Sequence, residues 1–461
     1  MTKINRYSEI TPYITGRAQI IDAADRIDPE LYAKYDVKRG LRDLNGKGVL
    51  AGLSNISEVR AKKTENGIEV SDYGHLYYRG YTIEDLIRGF TSRQSYGFEE
   101  IAYLLLFGEL PNESELKEFS DVLIFYRSLP KNFVRDVIMK APGRDMMNIL
   151  SRSVLTLYPY DDSPDDVSMP NVLRQCLQLI SLFPMLAIYG YQASSYYNDG
   201  NSLYIHKPMS TGTLAENMLH ILRADGSYTE LEARVLDVCL VLHMDHGGGN
   251  NSTFTTHVVS STMTDTYSVM AAALGSLKGP RHGGANVKVI GMFADMEEKL
   301  QDWSDEDEIA DYLRKLLKGE AFDRAGLIYG VGHAVYSKSD PRAEILKSYV
   351  ERLSVAKNDH REYELYARVE RLAPQIIAEE RKMYKGVSVN VDFYSGLVYK
   401  MLGLPCELFT PIFAMARIVG WSAHRMEELA NNSKIIRPAY RTVAREREYI
   451  PMENRKEGKT E

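Results

Sequence analysis

The chain is expected to be mainly α-helical, with one small N-terminal β-hairpin. Three observations support this. Apolar residues recur at helical spacing over most of the chain after Tyr81, alternating apolar-polar stretches are confined to Val49–Tyr81, and the 461 residues include only 17 prolines. No internal repeat or low-complexity tract suggests a solenoid or a fibre.

Composition narrows the function classes. Hydrophobic residues make up 44% and charged residues 26%, as in folded globular proteins rather than disordered, collagenous or membrane classes. The 56 basic and 63 acidic residues leave a formal charge of -7, which gives no overall attraction to nucleic acid or an anionic membrane. An anionic ligand would have to be held by a few locally placed arginines. The N-terminal residues lack the apolar stretch of a secretory signal and carry Glu9 early. Cys176, Cys239 and Cys406 lie in apolar surroundings without Cys-x-x-Cys spacing, so they read as reduced core residues of a cytoplasmic protein.

Residues 1–48 are polar and of mixed charge, which suggests an arm or short helices. Glu65-Asn66-Gly67 between two alternating stretches marks a hairpin turn. Thr82 with Asp85 forms a capping pattern before Leu86 and Ile87, and helical patterns follow. The apolar stretch Cys176–Tyr191, interrupted by Gln178 and Pro184, falls short of the ~20 residues of a membrane span and reads as a buried core helix. Ser227 with Glu230 opens a helix carrying Leu231, Val235, Val238 and Leu242, which ends in His243-Met244-Asp245-His246 before three glycines. Thr264 can cap a helix whose small residues, Ala271–Ala273, Gly275 and Ser276, admit a close neighbour before Gly279-Pro280 stops it. A further helix follows Asp340-Pro341, with Ile345, Leu346, Tyr349, Val350 and Leu353 on one face. The last twenty residues are highly charged and suit a frayed tail or an arm on a neighbour.

Reactive residues concentrate in four runs, each beside an expected helix end: His243–Thr253, Gly279–Asn286, Gly330–Arg342 and Asn390–Gly396. In the first, His243 and His246 with Asp245 could bind a divalent ion, but on a helix Asp245 would project about 100° away from His246; a polar helix-end cluster is the alternative. In the second, glycines around His282 let a ligand approach, and a following helix N-terminus would favour a neutral imidazole able to donate to a developing oxyanion. A helix-stop loop with an incidental histidine is the other possibility.

Gly330-Val331-Gly332-His333 superficially matches a dinucleotide fingerprint, but Val335 stands where the third glycine belongs and no clean strand precedes it. That loop is either a plain turn or a site for a polar carbonyl, with Arg342 available for a carboxylate. Asp392 either caps the helix after it or acts as a partly desolvated general base. Arg417, on an apolar helix, and Arg437, before Pro438, each need an anion, whether internal or from a ligand.

In chain order these motifs resemble the citrate synthase family: His-x-x-His before a Gly-rich Asn250, Gly-Pro-x-His-Gly-Gly-Ala-Asn, Gly-x-Gly-His-Ala-Val-Tyr with Asp-Pro-Arg, Val-Asp-Phe-Tyr-Ser-Gly, Ala-Arg with Gly-Trp, and Arg-Pro. The resemblance spans Val49 to about Arg441. It implies a homodimer whose subunits have a large domain, 1–286 with 403–461 returning to it, and a small domain, 287–402, closing over a cleft. It implies condensation of acetyl-CoA with oxaloacetate and hydrolysis of citryl-CoA, with no metal or organic cofactor.

By resemblance Asp392 removes a methyl proton, neutral His282 stabilises the enol oxygen, and His333 polarises the ketone of oxaloacetate. His246, Arg342, Arg417 and Arg437 hold its carboxylates, Arg437 coming from the partner subunit. Asn250 and Ser252 are expected to orient the histidines. The backbone around Val331, Gly332 and Ala334 is expected to meet CoA, while Ala334 and Ser337 replace residues that are more often basic in the family. The competing possibilities are 2-methylcitrate synthase, acting on propionyl-CoA, and a helical metal-dependent phosphohydrolase using His243, Asp245 and His246.

Overall fold

The structure, a computed structural model, describes residues 8–43, 47–65, 68–332, 335–336, 338–382, 386–431 and 434–455. Packing divides the chain into two units, Met1–Leu53 and Ser54–Glu461. In the first, Thr11 caps the helix Pro12–Ala24 and Asp28 caps Pro29–Lys34, each with proline in its first turn. Neither helix has a buried residue.

The second unit is helical around a small antiparallel sheet: β1 (Ser57–Glu65), β2 (Ile68–Tyr78) and β3 (Tyr81–Thr82), in the order β1-β2-β3. Ser57 pairs with Tyr78 and Glu65 with Ile68, so β1 and β2 form the expected hairpin, whose turn residues Asn66 and Gly67 lie outside the described residues. Thr82 then caps the helix Ile83–Ser92, accepting a bond from Asp85 N at 3.2 Å.

Two helices form the spine of the core. Met169–Asp199 is long and apolar enough to cross a membrane, but 83% of its most apolar window is buried within the protein. Phe409–Ala430 is buried along most of its length and packs on Met169–Asp199, on Glu230–His243 and on Asn251–Ser260. Burial of so many Leu, Ile, Phe and Met side chains is what holds these helices together.

Several helix starts differ from the sequence reading for local reasons. Glu230–His243 begins at Thr229, whose side chain and that of Glu232 form a capping box, because Ser227 is held by Asp225 in a turn of its own. Asp265, not Thr264, caps Thr266–Lys278. Cys176 and Cys239 are buried as expected, but Cys406 is exposed, since it opens a short 3-10 turn at the protein surface.

Candidate active site

The Phe409–Ala430 helix presents Arg417, Gly420, Trp421 and His424 at i, i+3, i+4 and i+7, one face that grips the segment 243–252. Arg417 Nε donates to the His243 carbonyl at 2.7 Å, Trp421 Nε1 donates to Ser252 Oγ at 3.2 Å, and His424 Nε2 lies 3.3 Å from Asp245 Oδ2. Gly420 is required between them, because a Cβ there would run into the Met244 carbonyl and the Asp245 carboxylate. Alanine normally favours a helix over glycine by about 1 kcal/mol, but at this position the sign reverses. Gly420→Ala is expected to lower the melting temperature by several degrees and to weaken anion binding by displacing Arg417; an unchanged melting curve would contradict the packing described.

Arg417 is fully buried, and its Nη1 and Nη2 have no hydrogen-bond partner among the described residues. Its aromatic support is Phe413, 4.7 Å from the guanidinium carbon. Burial draws its pKa down to about 10, with Asp245 resisting. A buried guanidinium with two unpaired nitrogens is costly unless an anion completes it.

Around it stand the groups singled out in the sequence. His282 lies in the turn before the Ala285–Lys299 helix, and its Nε2 is 3.1 Å from Ser252 Oγ. Burial, with the neighbouring Arg417 charge, lowers its pKa to about 4, so the imidazole is neutral at physiological pH. Asp392 occupies the first turn of the Val391–Met401 helix but does not cap it; Asn390 does, accepting from Asp392 N at 3.0 Å. Burial raises the Asp392 pKa to about 6, and Arg342 and Arg417 limit the rise.

Arg342 is buried and forms a bidentate pair with Asp340, Nε to Oδ1 at 3.0 Å and Nη2 to Oδ2 at 2.7 Å. Asp340 also caps the Pro341–Lys357 helix and accepts from Val391 N at 3.1 Å, which ties Arg342 to the helix that carries Asp392. The segment Gly330–Gly332 is zipped to the same region: Gly332 N donates to Ser388 O at 2.8 Å, Asn390 N to Gly330 O at 2.9 Å, and Val331 bridges Val389. His246 lies beyond the end of its helix, its ring 5.6 Å from that of Tyr336. Tyr336 in turn lies beneath the Arg342 guanidinium, 6.0 Å from the ring centre. Strand β2 closes this side, where Gly74 N donates to Ser339 Oγ at 3.3 Å and Tyr336 OH to His75 O at 3.3 Å.

The structure therefore joins His246, His282, Arg342, Asp392 and Arg417, with Val331 and Gly332 beside Asp392. His333 and Ala334 lie outside the described residues. Arg437 is exposed in the segment 434–451, which forms no helix or strand, and shares none of these interactions. Two residues that the sequence reading quoted, His243 only as a metal ligand and Asp340 only as a helix start, take other places in the site. His243 is buried beside Arg417 and Arg342, with Nδ1 2.7 Å from Cys239 O, Nε2 without a partner among the described residues and its pKa pushed down to about 3 by burial. Asp340, quoted in the sequence only as part of Asp-Pro-Arg, pairs with Arg342 and accepts from Val391 N.

The metal reading of His243, Asp245 and His246 does not fit this geometry. The helix ends at His243, so helical projection does not govern Asp245, whose Oδ2 is taken up by Ser57, His424 and Gly247 N while Oδ1 lies near Gly420 on the Phe409–Ala430 helix. A second group, His257, His424 and Glu427, brings ligand atoms within 4.8 Å of one another. There the His424 pKa stays up near 9, since Asp245 and Glu427 more than offset its burial, and its protons occupy the nitrogens that a metal would need.

The family model for the citrate synthase C-terminal domain matches residues 43–439. A citrate synthase of Haloferax volcanii is 36% identical over 427 residues, covering 91% of this chain and 99% of that protein. A 2-methylcitrate synthase of Shewanella oneidensis is 34% identical over 381 residues, covering 82% of this chain and 92% of that protein. Among solved structures, the citrate synthase of Thermotoga maritima superposes with a TM-score of 0.69 at 31% identity, covering 89% of this chain and 98% of that one. The Thermoplasma acidophilum citrate synthase, in ternary complex with carboxymethyl coenzyme A and oxaloacetate, superposes with a TM-score of 0.73 at 26% identity, covering 90% and 99%. These matches give no support to the phosphohydrolase alternative.

Proposed function

We propose that this chain, which belongs to the citrate synthase family, condenses acetyl-CoA with oxaloacetate and hydrolyses the resulting citryl-CoA to citrate and CoA. The observation that carries the proposal is the buried Arg417 guanidinium, with two nitrogens awaiting an anion, placed beside a neutral imidazole and a carboxylate of raised pKa.

Asp392 accepts a proton from the acetyl methyl group, breaking a C–H bond, while His282 donates a hydrogen bond to the thioester oxygen as the enol forms. For that donation the imidazole proton sits on Nδ1, and Nε2 accepts from the Ser252 hydroxyl 3.1 Å away once its proton turns from Asn250 Oδ1. The enol carbon attacks the ketone carbon of oxaloacetate as the enol O–H proton passes back to His282. His333 supplies a proton to the ketone oxygen as the C–C bond forms, and the methyl proton held by Asp392 makes good that loss when the site resets. Water then cleaves the C–S bond and CoA leaves as its thiol.

Arg417, the Nη1 of Arg342 left over from its Asp340 pair, and His246 hold the carboxylates, joined by Arg437 from a second copy of the chain. The backbone of Val331, Gly332 and Ala334 receives CoA. Residues 287–402 act as the smaller lobe, whose closure excludes water before the enol forms. The chemistry uses side chains and the two substrates alone, with no metal or organic cofactor. The proposal places the enzyme in the cytoplasm, where its three unpaired cysteines stay reduced.

A 2-methylcitrate synthase activity is the second possibility, favoured by the Shewanella oneidensis relative. One methylene distinguishes the substrates by only about 1–3 kcal/mol in a pocket. The deciding experiment is thiol release with oxaloacetate and a panel of acyl-CoA thioesters. A higher kcat/KM for acetyl-CoA is expected; preference for propionyl-CoA would overturn the assignment, and no thiol release with any thioester would overturn the function.

A further inference from the structure

His246 is flanked by two residues bound to a single carboxylate oxygen. Asp245 Oδ2 accepts from Gly247 N at 3.0 Å, so the residues on both sides of His246 are fixed to the same point. That oxygen is anchored to two other elements, through Ser57 Oγ on β1 and His424 Nε2 at 3.3 Å on the Phe409–Ala430 helix. Tyr78 on β2 completes the clamp. Its hydroxyl accepts from Asp245 N at 3.2 Å and lies 3.1 Å from the carbonyls of Val241 and Asp245. Asp245 and His424 are both fully buried.

The partners of His424 determine which proton faces Asp245. His257 Nδ1 is 2.7 Å from Glu428 Oε2, and His257 Nε2 is 3.1 Å from His424 Nδ1. With Nδ1–H of His257 donated to Glu428, its Nε2 accepts from His424 Nδ1–H. This directs His424 Nε2–H at Asp245. Glu427, 3.7 Å from His424 Nδ1, is the other acid facing this imidazolium, and Arg417 is the nearby cation acting on Asp245.

We propose that the His424–Asp245 ion pair, oriented by His257 and Glu428, is a positioning element that sets His246 for a carboxylate of oxaloacetate. None of these four residues touches substrate; they act through the turn that carries His246. The proposal rests on the citrate synthase reading above, and it separates substrate binding from the chemistry at Asp392 and His282.

The test measures oxaloacetate affinity by calorimetry, together with kcat and both KM values, in Asp245→Asn, His424→Gln, the double variant and Glu428→Gln. Each buried single variant leaves one partner without its counter-charge, whereas two amides can hydrogen-bond to each other. The singles are expected to weaken oxaloacetate binding about 10–100-fold, with kcat within a few-fold and acetyl-CoA KM unchanged. The double variant should bind better than the worse single, and Glu428→Gln should show a milder loss in the same direction.

Should a single variant fail to fold, the affinities of the double variant and of Glu428→Gln decide between the outcomes. Folded variants with wild-type oxaloacetate affinity, or losses confined to kcat, would overturn the proposal. A wild-type protein that binds oxaloacetate but releases no thiol would instead defeat the reaction, leaving the affinity comparison to judge the positioning role.

Discussion

Asp392→Asn is expected to lower kcat by about 10²–10⁴-fold, the usual contribution of a positioned general base, with oxaloacetate affinity changed little. The carboxylate sits at the start of a helix whose cap is already supplied by Asn390, so its loss leaves the fold intact. Burial has raised its pKa to about 6, which makes it more basic than a surface acid yet still ionised near neutrality. The isosteric amide keeps the shape and cannot take a proton. Thiol release by the purified variant, compared with its calorimetric titration by oxaloacetate, checks both halves. Near-normal turnover would remove Asp392 from the mechanism.

Arg417→Met is expected to raise the KM for oxaloacetate about 100-fold or more, since charge-assisted hydrogen bonds contribute about 1.5–3 kcal/mol each and two nitrogens are available. Stability should move the other way. Among the described residues the buried guanidinium leaves Nη1 and Nη2 unpaired, and its one direct bond is Nε to the His243 carbonyl. An apolar side chain of similar length removes that burden, so the melting temperature is expected to hold or rise. Weaker oxaloacetate binding with undiminished stability identifies Arg417 as a functional cation. A large drop in melting temperature with unchanged KM would show it to be structural.

Much of this site is legible in the sequence because its residues break local rules. An arginine on an apolar helix, a histidine between glycines and an acid among aromatics each need a partner that their own segment does not provide. Arg417, His282 and Asp392 stand out on that signal. The misplaced helix caps have a different origin. Ser227 and Thr229 both precede a glutamate by three residues, and only the turn made by Asp225 decides between them. The same limit applies to Asp392, which reads as a cap until Asn390 is seen in that place.

His424 and Asp245 are harder to recognise, since the two are 179 residues apart along the chain. A signal is present: His424 follows Arg417 by seven residues, on the same helical face as Gly420 and Trp421. A cation, a small residue, an aromatic and a histidine on one buried stripe indicate that this face grips something polar. Tertiary pairing also accounts for Asp340, whose role becomes evident only when Val391 donates to it from another helix.

The central claim is that an ionised Asp392 works beside a neutral His282. The most direct test is the pH dependence of kcat/KM for acetyl-CoA at saturating oxaloacetate, which reports the essential base before the thioester binds. Since Asp392 titrates at about 6 and His282 at about 4, activity should fall with a single-proton limb as pH drops through about 6, while the protein remains folded. A profile that stays flat to pH values well below that limb, or one that rises as the pH falls, would contradict the claim.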